Sequence, residues 1–564
     1  MALEEYDPGK AIEKYYGDIV KGNIVACKKI IEVAKYCLWI YSGGDEKYHF
    51  DGDKAARHVN FIQTFCSYPK GEKGGQPFKM EQFQTALTEF IFGIVDSEGY
   101  RMVHELFEVI GRKNGKSTWA ATVSFDMLLN DSEQTPLVVD AAVTEDQAMK
   151  TFGAMLEMRS MSPVLKKAVA KRTGNNLYCK INLGKVQALT GRTKDKDGFD
   201  PSCAILDEIA AWEKRDMYDL LIQSFGARRN WLMLETTTFG FVRGNIFDAQ
   251  YEYASKWLEE DMSTRARSFL PMIYELDERE EWHDEANWIK ANPGMGTVKS
   301  WDYMRQVVAK AKQDAEFYPS MMVKDFNVVE NSSSAWLSYE ELHNPETYDI
   351  NKMGFKYAIV GFDASDSVDL TAACALMMRP GDNKIYAYHK AWIPGALMDR
   401  MQSKGESTRD NAPYMSWINR GLLNVVAGNN IPREVLFEFM DELKSMGIYT
   451  YGVGYDAWGM SSVKEDIENY VGKANAQAVR QGSQTLSDPM KRLRADYRDN
   501  RIVDNANPLA EWCRSNVMVN ADTNGNIKPN KKDGNEKNRI DVFASELDAY
   551  VMLMRVEDEY LRII

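Results

Sequence analysis

Cysteine, histidine and long apolar runs are scarce in this chain of 564 residues. Its seven cysteines are scattered without a Cys-x-x-Cys pair, which is typical of a reducing compartment and disfavours structural zinc. The six histidines are scattered as well, so a zinc hydrolase or a nuclease with histidine ligands is not expected. No run approaches the ~18 apolar residues of a membrane span, and the acidic start has no signal-peptide core. We expect no membrane partner and a cytosolic location.

Positive charge is also in deficit. The 69 Lys and Arg residues against 83 Asp and Glu give a formal net charge of −14. A protein that coats nucleic acid is usually basic, because neutralising phosphates drives that binding. Any contact with nucleic acid must therefore use local basic patches or a surface formed by assembly. The length predicts two to four globular domains.

The most informative segment is 111–118, with the sequence Gly-Arg-Lys-Asn-Gly-Lys-Ser-Thr. It follows a strand pattern over Leu106–Ile110 and precedes a helix pattern over Thr118–Leu129. That order predicts a phosphate-binding loop, in which backbone N–H groups and a helix N-terminus face an anion. The spacing departs from the usual one, since Ile110 occupies the first glycine position and Gly111 comes one place late.

Two more strand ends favour a nucleotide site. Cys203–Leu206 is an apolar strand pattern followed by Asp207 and Glu208. At such a strand end, Asp207 can bind Mg²⁺ while Glu208 orients the attacking water. Trp231–Leu234 leads into Glu235–Thr238, with hydroxyls where ligands of open α/β sheets bind. Upstream side chains offer a place for a base, with Gln84 at the adenine edge; they are Pro77, Phe78, Phe83 and Gln84.

The pattern of elements predicts an α/β protein. Apolar runs alternate with amphipathic stretches from about 77 to 330, which is typical of a parallel sheet covered by helices. The predicted strands are Leu106–Ile110, Leu137–Val143, Lys185–Leu189, Cys203–Leu206 and Trp231–Leu234. The predicted organisation is a helical segment at 1–70, a RecA-like P-loop ATPase domain at 71–335, a linker at 336–352 and a second α/β domain at 353–564.

The second domain places acids at strand ends. Strands are predicted over Tyr357–Ala364, Thr371–Met378, Lys384–His389 and Tyr451–Tyr455, before a terminal helix over Asp541–Leu561. Asp363 and Asp456 end strands, Asp369 precedes one, and Asp541 opens the helix. This layout predicts an RNase H-like nuclease with two divalent ions about 4 Å apart. Carboxylates favour Mg²⁺ or Mn²⁺, although Asp456 as a turn cap and Asp541 as a helix N-terminal charge remain alternatives.

Residues 524–539 concentrate positive charge among Gly, Asn and Pro. A basic loop beside an acidic metal site suits a DNA backbone. A solvated surface loop is the alternative interpretation. The basic residues are Lys528, Lys531, Lys532, Lys537 and Arg539.

Together these motifs resemble one family, the large terminase subunits of tailed bacteriophages of the HK97-like kind. The resemblance spans most of the chain and includes the variant loop with its early Arg112 and its late Gly111. Its other parts are Phe83-Gln84, Asp207-Glu208, Thr236–Thr238, Trp288–Pro293, Asp363, Asp369–Thr371, Asp456 and Asp541.

The resemblance implies a DNA-packaging motor fused to a DNA-cutting domain. Lys116 is then expected to bind the β- and γ-phosphates, and Ser117 and Asp207 are expected to bind Mg²⁺. Glu208 is expected to hold the catalytic water. The Thr236–Thr238 segment is expected to couple hydrolysis to movement. Further nucleotide contacts are expected from Gln84, Arg112, Gly115 and Thr118, and nuclease metal ligands from Asp363, Asp369, Asp456 and Asp541. Whether Arg112 touches phosphate, senses the nucleotide or holds the loop stays open.

The resemblance also implies partners. Large terminases form a ring, usually a pentamer, at the portal of the procapsid in the host cytoplasm, with double-stranded DNA and a small terminase subunit. A neighbouring subunit supplies an arginine finger worth several orders of magnitude in rate. Arg192 is the candidate here, and Arg228 and Arg229 compete with it.

Two other interpretations compete. A helicase or a restriction-type DNA translocase and nuclease usually carries two RecA-like units, and only one is predicted here. A non-catalytic assembly protein could retain a decayed nucleotide fold. The complete set Lys116, Asp207, Glu208, Asp363 and Asp456 disfavours that interpretation.

Overall fold

The computed structural model describes residues 6–131, 133–142, 145–172, 175–190, 200–212, 214–242, 245–314, 316–330, 335–364, 370–398, 414–457, 460, 463–531 and 539–564. The chain divides into two compact units, Met1–Glu330 and Asn331–Ile564. No helix of the described ranges is long and apolar enough to cross a membrane.

The first unit combines a large sheet with helices. Its strands are β1 Tyr48–Phe50, β2 Ile94–Asp96, β3 Glu105–Val109, β4 Leu137–Ala142, β5 Val169–Arg172, β6 Asn176–Cys179, β7 Lys185–Thr190, β8 Cys203–Asp207, β9 Leu232–Thr237 and β10 Phe269–Ile273. Its α-helices are α1 Lys10–Val20, α2 Lys28–Tyr41, α3 Gly52–Phe65, α4 Gln82–Gly93, α5 Lys116–Leu129, α6 Glu145–Met161, α7 Pro163–Ala168, α8 Asp216–Ser224, α9 Ile246–Glu259, α10 Trp301–Ala311 and α11 Tyr318–Asp325. Short 3₁₀ helices span Ile209–Ala211, Phe225–Ala227, Arg279–His283 and Glu285–Lys290.

Eight of these strands form one sheet in the order β10-β3-β9-β8-β4-β7-β6-β5. The pairs from β10 to β7 are parallel, which confirms the predicted sheet. The edge strands β6 and β5 are antiparallel, unlike the prediction. Their connections are short, and a parallel crossover needs a dozen residues or more.

The N-terminal helices belong to this unit and share its core. Ile12 and Ile30 are fully buried in the same apolar cluster as the sheet residues. The Cys27 thiol donates a hydrogen bond to the carbonyl of Ile273, 3.1 Å away at the end of β10. Glu89 of α4 accepts a hydrogen bond from the Ile12 amide at 3.0 Å. Residues 6–70 are therefore packed on the ATPase fold.

The second unit is a mixed α/β fold. Its strands are β11 Tyr357–Asp363, β12 Thr371–Met377, β13 Ile385–Pro394, β14 Leu423–Val426, β15 Tyr449–Asp456, β16 Ala476–Val479, β17 Ile502–Val503, β18 Val517–Ala521 and β19 Ile527–Lys531. Its α-helices are α12 Tyr339–Leu342, α13 Tyr414–Asn419, α14 Glu434–Ser445, α15 Lys464–Val471, α16 Ser483–Arg498, α17 Pro508–Ser515 and α18 Asp541–Ile563, with a 3₁₀ turn at Lys473–Asn475.

The main sheet of the second unit has the order β14-β13-β12-β11-β15-β16, and β17 pairs with β13. The consecutive strands β11, β12 and β13 are antiparallel, and β15 lies parallel to β11. α18 packs across β11, β12 and β15. Three consecutive strands, a later parallel strand and a terminal helix confirm the predicted RNase H-like architecture.

The segment predicted as a linker, 336–352, begins with residues that pack on the second unit. Trp336 and Leu337 are 1% exposed and belong to a core cluster of the second unit. The amide of Trp336 donates to the carbonyl of Val517 at 2.9 Å, and Ser338 caps α12. Because a buried indole anchors this segment, it forms part of the folded second unit and does not behave as a free linker.

Candidate active sites

The glycine loop joins β3 to α5 as predicted, and residues distant in sequence pack against it. A β-carbon on Gly111 would stand only 2.7 Å from the carbonyl oxygen of Asp325 and 3.0 Å from that of Ala291. The amide of Gly111 also donates to Ala291 at 3.0 Å. The late glycine is therefore explained by the close approach of another chain segment, while Ile110 is fully buried in the core.

Asn114 ties the loop together. Its amide nitrogen donates to the carbonyl of Gly111 at 2.7 Å and to Oδ1 of Asn292 at 2.9 Å, and its Oδ1 accepts from the amide of Gly294 at 3.0 Å. Asn292 in turn donates to the carbonyl of Asp325 at 2.8 Å. These three hydrogen bonds of the buried Asn114 amide fix the geometry of the loop. The segment around Asn292 therefore acts as a clamp on the loop.

Arg112 contacts the same clamp. Its guanidinium forms an ion pair with Asp325, with 2.7 Å between Nη2 and Oδ2. Its backbone amide donates to the carbonyl of Lys324 at 2.8 Å. In this structure Arg112 holds the loop, which is one of the three roles left open by the sequence.

The loop meets the acid pair at the end of β8. Nζ of Lys116 lies 2.5 Å from Oε1 of Glu208, and Oγ of Ser117 donates to Oδ2 of Asp207 at 3.1 Å. The hydroxyls of Thr236 and Thr151 also donate to Asp207, at 3.1 and 3.4 Å. A carboxylate beside a serine hydroxyl is a donor set that suits Mg²⁺.

Glu208 combines an unusual backbone with a cationic environment. Its φ of 56° lies in the left-handed region, which is uncommon for a non-glycine residue and concentrated at functional sites. Burial alone would raise the pKa of Glu208, but Lys116 outweighs that effect and, with Lys324 and Lys150, lowers it. Glu208 is therefore ionised at neutral pH and can accept a hydrogen bond from water.

The threonine segment lies partly inside β9, which ends at Thr237 and not at Leu234 as predicted. Thr236 bonds to Asp207, and the hydroxyl of Thr237 accepts from the amide of Ala210 at 3.2 Å. The hydroxyl of Thr238 accepts from Nζ of Lys324 at 3.1 Å. This segment therefore connects the acid pair to the end of α11.

The remaining predicted nucleotide contacts lie near the loop. Gly115 is the N-cap of α5, with a φ of 89°, and Thr118 is the third residue of that helix. Gln84 is buried, and its Oε1 accepts from the amide of Glu81 at 3.0 Å in a capping box. Its Nε2 lies 3.3 Å from the position of a β-carbon on Gly115. Gln84 thus touches the loop but is already engaged as a helix cap.

A cavity of about 180 Å³ opens next to Phe83, the neighbour of Gln84. The segment that clamps the loop and the N-terminal helices contribute to its wall. Among its lining residues are Tyr15, Ala26, Phe83, Tyr274, Pro293 and Met295.

The three arginine candidates differ in their surroundings. Arg192 lies outside the described residues. Arg228 forms ion pairs with Glu133 and Asp200, both at 2.9 Å. Arg229 is exposed, pairs with Glu98 at 2.9 Å and stacks its guanidinium 3.9 Å from the centroid of the Tyr100 ring.

In the second unit, two predicted acids end neighbouring strands. Gly361 of β11 pairs with Gly454 of the parallel strand β15. Two residues later, Asp363 and Asp456 are the last residues of these strands. The structure therefore brings Asp363 and Asp456 to the same edge of the sheet, as predicted from the sequence.

The two glycines show which way these acids face. A β-carbon on Gly361 would stand 2.8 Å from Cβ of Ala549, and one on Gly454 would stand 2.7 Å from the carbonyl carbon of Asp548. Both neighbours belong to α18. Since alternate residues of a strand face the same side, Asp363 and Asp456 project toward the side that α18 covers.

Asp541 opens α18 and is buried, with 6% exposure. Where α18 packs on β15, Met552 lies against Gly452 and Asp548 lies against Gly454. Four residues back along the helix therefore correspond to two residues forward along the strand. Both steps advance about 6 Å. Continuing along the helix, its first turn reaches the level of the strand ends. Asp541 is therefore on the element that covers the acids and at the matching height.

Asp548 is a fourth acid that the sequence analysis missed. It is 1% exposed, and Nε2 of Gln481 donates to its Oδ1 at 3.1 Å, whereas Oδ2 accepts no hydrogen bond from the residues that the structure describes. Burial raises its pKa well above the usual range, reinforced by Asp363 and Asp456. Its spacing of seven residues from Asp541, two helical turns on the same face, was the available signal.

The carboxylates of the second unit are the candidate metal ligands of this site. In the part of the chain that the structure describes, no three Asp, Glu, His or Cys side chains are close enough to hold one ion together. Asp369 lies outside the described residues. Two strand-end carboxylates and a buried acid with an unbonded oxygen nevertheless form a donor set suited to hard divalent cations.

The basic segment at 524–539 is only partly described. Lys528 and Lys531 lie on the β18–β19 hairpin, while Lys532 and Lys537 lie outside the described residues. Arg539 is 6% exposed, with its guanidinium 5.7 Å from the centroid of the Tyr414 ring. Arg539 is therefore a buried residue, unlike a side chain of an exposed basic loop.

These features define a class of protein, a P-loop ATPase joined to an RNase H-like nuclease. Residues 82–256 match the family model of the terminase large subunit ATPase domain, and residues 263–557 match that of the terminase large subunit endonuclease domain. The chain therefore belongs to the family of terminase large subunits. It is an ATPase and a nuclease, and it combines the motor and the DNA-cutting enzyme of phage genome packaging.

Similar proteins come from bacteriophages. The terminase large subunit of Enterobacteria phage HK97 is 24% identical over 487 residues, covering 85% of this chain and 92% of that protein. The terminase large subunit of Lactococcus phage p2 is 22% identical over 460 residues, covering 80% and 82%. The crystal structure of the HK97 large terminase aligns with a TM-score of 0.45 at 21% identity, covering 88% of this chain and 99% of that one.

Proposed function

We propose that ATP is hydrolysed where the 111–118 loop meets the end of β8, and that this hydrolysis drives double-stranded DNA into a procapsid. The observation that carries the proposal is the pairing of Lys116 with Glu208 and of Ser117 with Asp207. Lys116 binds the β- and γ-phosphates, Ser117 and Asp207 hold Mg²⁺, and Glu208 orients the attacking water. Mg²⁺ supplies charge neutralisation at the phosphates.

The rest of the nucleotide is bound by neighbouring groups. The amides at Gly115 and Thr118 face the phosphates from the start of α5. The cavity beside Phe83 receives the base, and Gln84 recognises its edge. Arg112 acts on the site indirectly, because its guanidinium and its amide are both engaged with α11.

The nuclease centre uses carboxylates of the second unit. Asp363, Asp456 and Asp541 hold Mg²⁺ or Mn²⁺ at the carboxyl edge of the sheet, and Asp369 is a further ligand. Ions held by these carboxylates would supply the positive charge that activates a water and stabilises the leaving 3′ oxygen of the DNA strand. The adjacent ends of β11 and β15 support this assignment, because they bring two aspartates together.

Assembly into a ring supplies the positively charged DNA-facing surface and the arginine finger. A ring of copies, with five as the expected number, acts at the portal of the procapsid in the host cytoplasm, together with a small terminase subunit. Such a ring needs positive charge only on its inner surface, which agrees with a net charge of −14. Arg192 of a neighbouring copy reaches the ATP site as the arginine finger.

ATP turnover by the purified chain tests the proposed site. With Mg²⁺ and DNA, the chain is expected to hydrolyse ATP, and Lys116→Ala is expected to lower the rate by about 100-fold or more. Lys166→Ala removes an exposed lysine of α7 and serves as the control. Equal rates for Lys116→Ala and the control would place the ATP site elsewhere.

A strand-displacement assay separates packaging from helicase activity. On a partly double-stranded DNA with ATP, the chain is expected to leave the strands paired, since a packaging motor moves intact duplex. Clear unwinding of the duplex would favour the helicase interpretation. With portal, procapsid and ATP present, protection of DNA from added nuclease is the expected positive result.

A further inference from the structure

The side chain of Lys324, in the last turn of α11, reaches the ATP site from outside the sheet. Its Nζ donates to Oγ1 of Thr238 at 3.1 Å and to the carbonyl of Phe239 at 2.9 Å. Its own carbonyl accepts from the amide of Arg112 at 2.8 Å. One residue therefore touches both the glycine loop and the segment that follows β9.

The charges around Lys324 point into the same site. Burial lowers the pKa of Lys324, and the Glu208 carboxylate opposes that effect. Lys116 and Arg112 lie close enough to lower it further. Lys116 of the loop, Lys150 of α6 and Lys324 of α11 thus converge near Glu208. Such an excess of positive charge suits a polyphosphate.

An ammonium group also has a donor to spare. It carries three protons, and within the described chain two of them are used, by Thr238 and Phe239. Because Thr238 follows β9 directly, any shift of the ammonium toward an anion near Glu208 pulls on this segment.

We propose that Lys324 is a positioning residue that responds to the terminal phosphate of ATP and transmits its presence to the Thr236–Phe239 segment. The inference rests on the ATP site proposed above. With a triphosphate bound, the third proton of the ammonium is donated to the terminal phosphate. With a diphosphate bound, Lys324 keeps only its protein partners. α11 and the loop clamp then report the state of the nucleotide to β9.

A purely structural tie is the competing explanation. In that case the loss of Lys324 weakens the junction of α11 with β9, and the affinities for diphosphate and triphosphate fall together. The two explanations differ in the ratio of these affinities, which does not depend on overall stability.

The test measures equilibrium binding of Mg·ADP and Mg·ATPγS to the full chain. Lys324→Met is expected to weaken ATPγS binding by about 10-fold and to leave ADP binding within about 2-fold, since one charge-assisted hydrogen bond is lost. Lys324→Gln, which keeps a donor for Phe239, is expected to show the same selective loss, and Lys324→Arg to restore most of it. Lys312→Met, at an exposed lysine after α10, is the matched control.

The outcomes separate this inference from the ATP site itself. Equal weakening of both nucleotides, or of neither, in the folded Lys324→Met and Lys324→Gln variants would overturn the role of Lys324. Lys116→Ala is measured alongside, and it is expected to weaken both nucleotides. If Lys116→Ala binds both nucleotides like the unmodified chain, the proposed ATP site is wrong and the inference falls with it.

Discussion

Lys299 and Asp325 form a fully buried ion pair, with 2.8 Å between Nζ and Oδ1, directly behind the glycine loop. Nζ of Lys299 also donates to Oδ1 of Asn292 at 2.8 Å. Asp325 in turn pairs with Arg112 of the loop. Burial lowers the pKa of Lys299, and Asp325 opposes that effect. The pair anchors the clamp that holds the loop, although both of its members are distant from the loop in sequence.

Removing one member of this pair is expected to destabilise the first unit strongly. Lys299→Met leaves Asp325 with less compensation in the core, which costs about 3–5 kcal/mol in the free energy of unfolding. The double variant Lys299→Met with Asp325→Leu is expected to lose less than Lys299→Met alone, because both fully buried charges are removed and Arg112, which loses Asp325, is 32% exposed. Denaturant unfolding measures both values.

The control for this prediction is an exposed pair in the same unit. Lys256 and Glu252 lie 2.7 Å apart on the surface of α9, and Lys256→Met is expected to cost less than about 1 kcal/mol. If Lys299→Met cost no more than Lys256→Met, the buried pair would not anchor the clamp.

The close approach of α18 to the nuclease sheet gives a second prediction. Gly454→Ala places a methyl group against the backbone of Asp548, so the helix must move away from the strand ends. Overpacking of this kind costs about 1–3 kcal/mol. Mn²⁺-dependent DNA cleavage is expected to fall by about 10-fold or more, while ATP turnover persists.

Gly482→Ala is the matched control, because no atom of the described, non-adjacent residues lies within 4 Å of a β-carbon there. This variant is expected to cleave DNA like the unmodified chain. Normal cleavage by Gly454→Ala would mean that the spacing between α18 and β15 does not set the nuclease geometry.

The carboxyl groups of Glu105 in β3 and Glu235 in β9 give a pH-dependent prediction. Nε2 of Gln250 donates to Glu105 at 2.6 Å and to Glu235 at 2.8 Å. Burial, followed by the charge of Glu105, raises the pKa of Glu235 well above its usual value. The folded state therefore holds a proton that the unfolded state releases above about pH 4.5, and stability falls as the pH rises from there.

Glu235→Gln has no such proton and mimics the protonated acid. Relative to the unmodified chain, the variant is expected to gain stability as the pH rises from 5 to 8, by about 1.4 kcal/mol for each unit of pKa elevation that this range covers. The melting temperature as a function of pH measures the effect, with Glu252→Gln as an exposed control. A difference that stays constant over this range would show that Glu235 does not titrate abnormally.

Much of the fold was predictable because its signals are local. The strand patterns before Gly111, at Cys203 and at Tyr357 mark buried parallel or mixed strands, and the structure has them within a few residues. The acids at strand ends were likewise predictable, since parallel neighbours end at one edge. Trp336 was misjudged because its polar surroundings in sequence hide a side chain that is buried by the second unit.

The site was less predictable where it depends on distant contacts. The position of Gly111 is explained by the carbonyl groups of Asp325 and Ala291, which lie against it. The sequence around residue 111 contains no signal for these distant contacts. Lys324 lies in an ordinary amphipathic helix, and only the tertiary fold brings it to Thr238. Asp548 carried a helical spacing signal, but spacing alone does not show that this acid is buried beside the ends of two distant strands.

We propose that one chain carries two separate catalytic sites, an ATPase at Glu208 and a nuclease at Asp363. Two single variants of the purified chain test it most directly, with ATP turnover and Mn²⁺-dependent DNA cleavage measured on the same preparations. Glu208→Ala is expected to abolish ATP turnover and to retain cleavage, and Asp363→Ala is expected to do the reverse. Loss of both activities from either change, in protein that remains folded, would contradict the account.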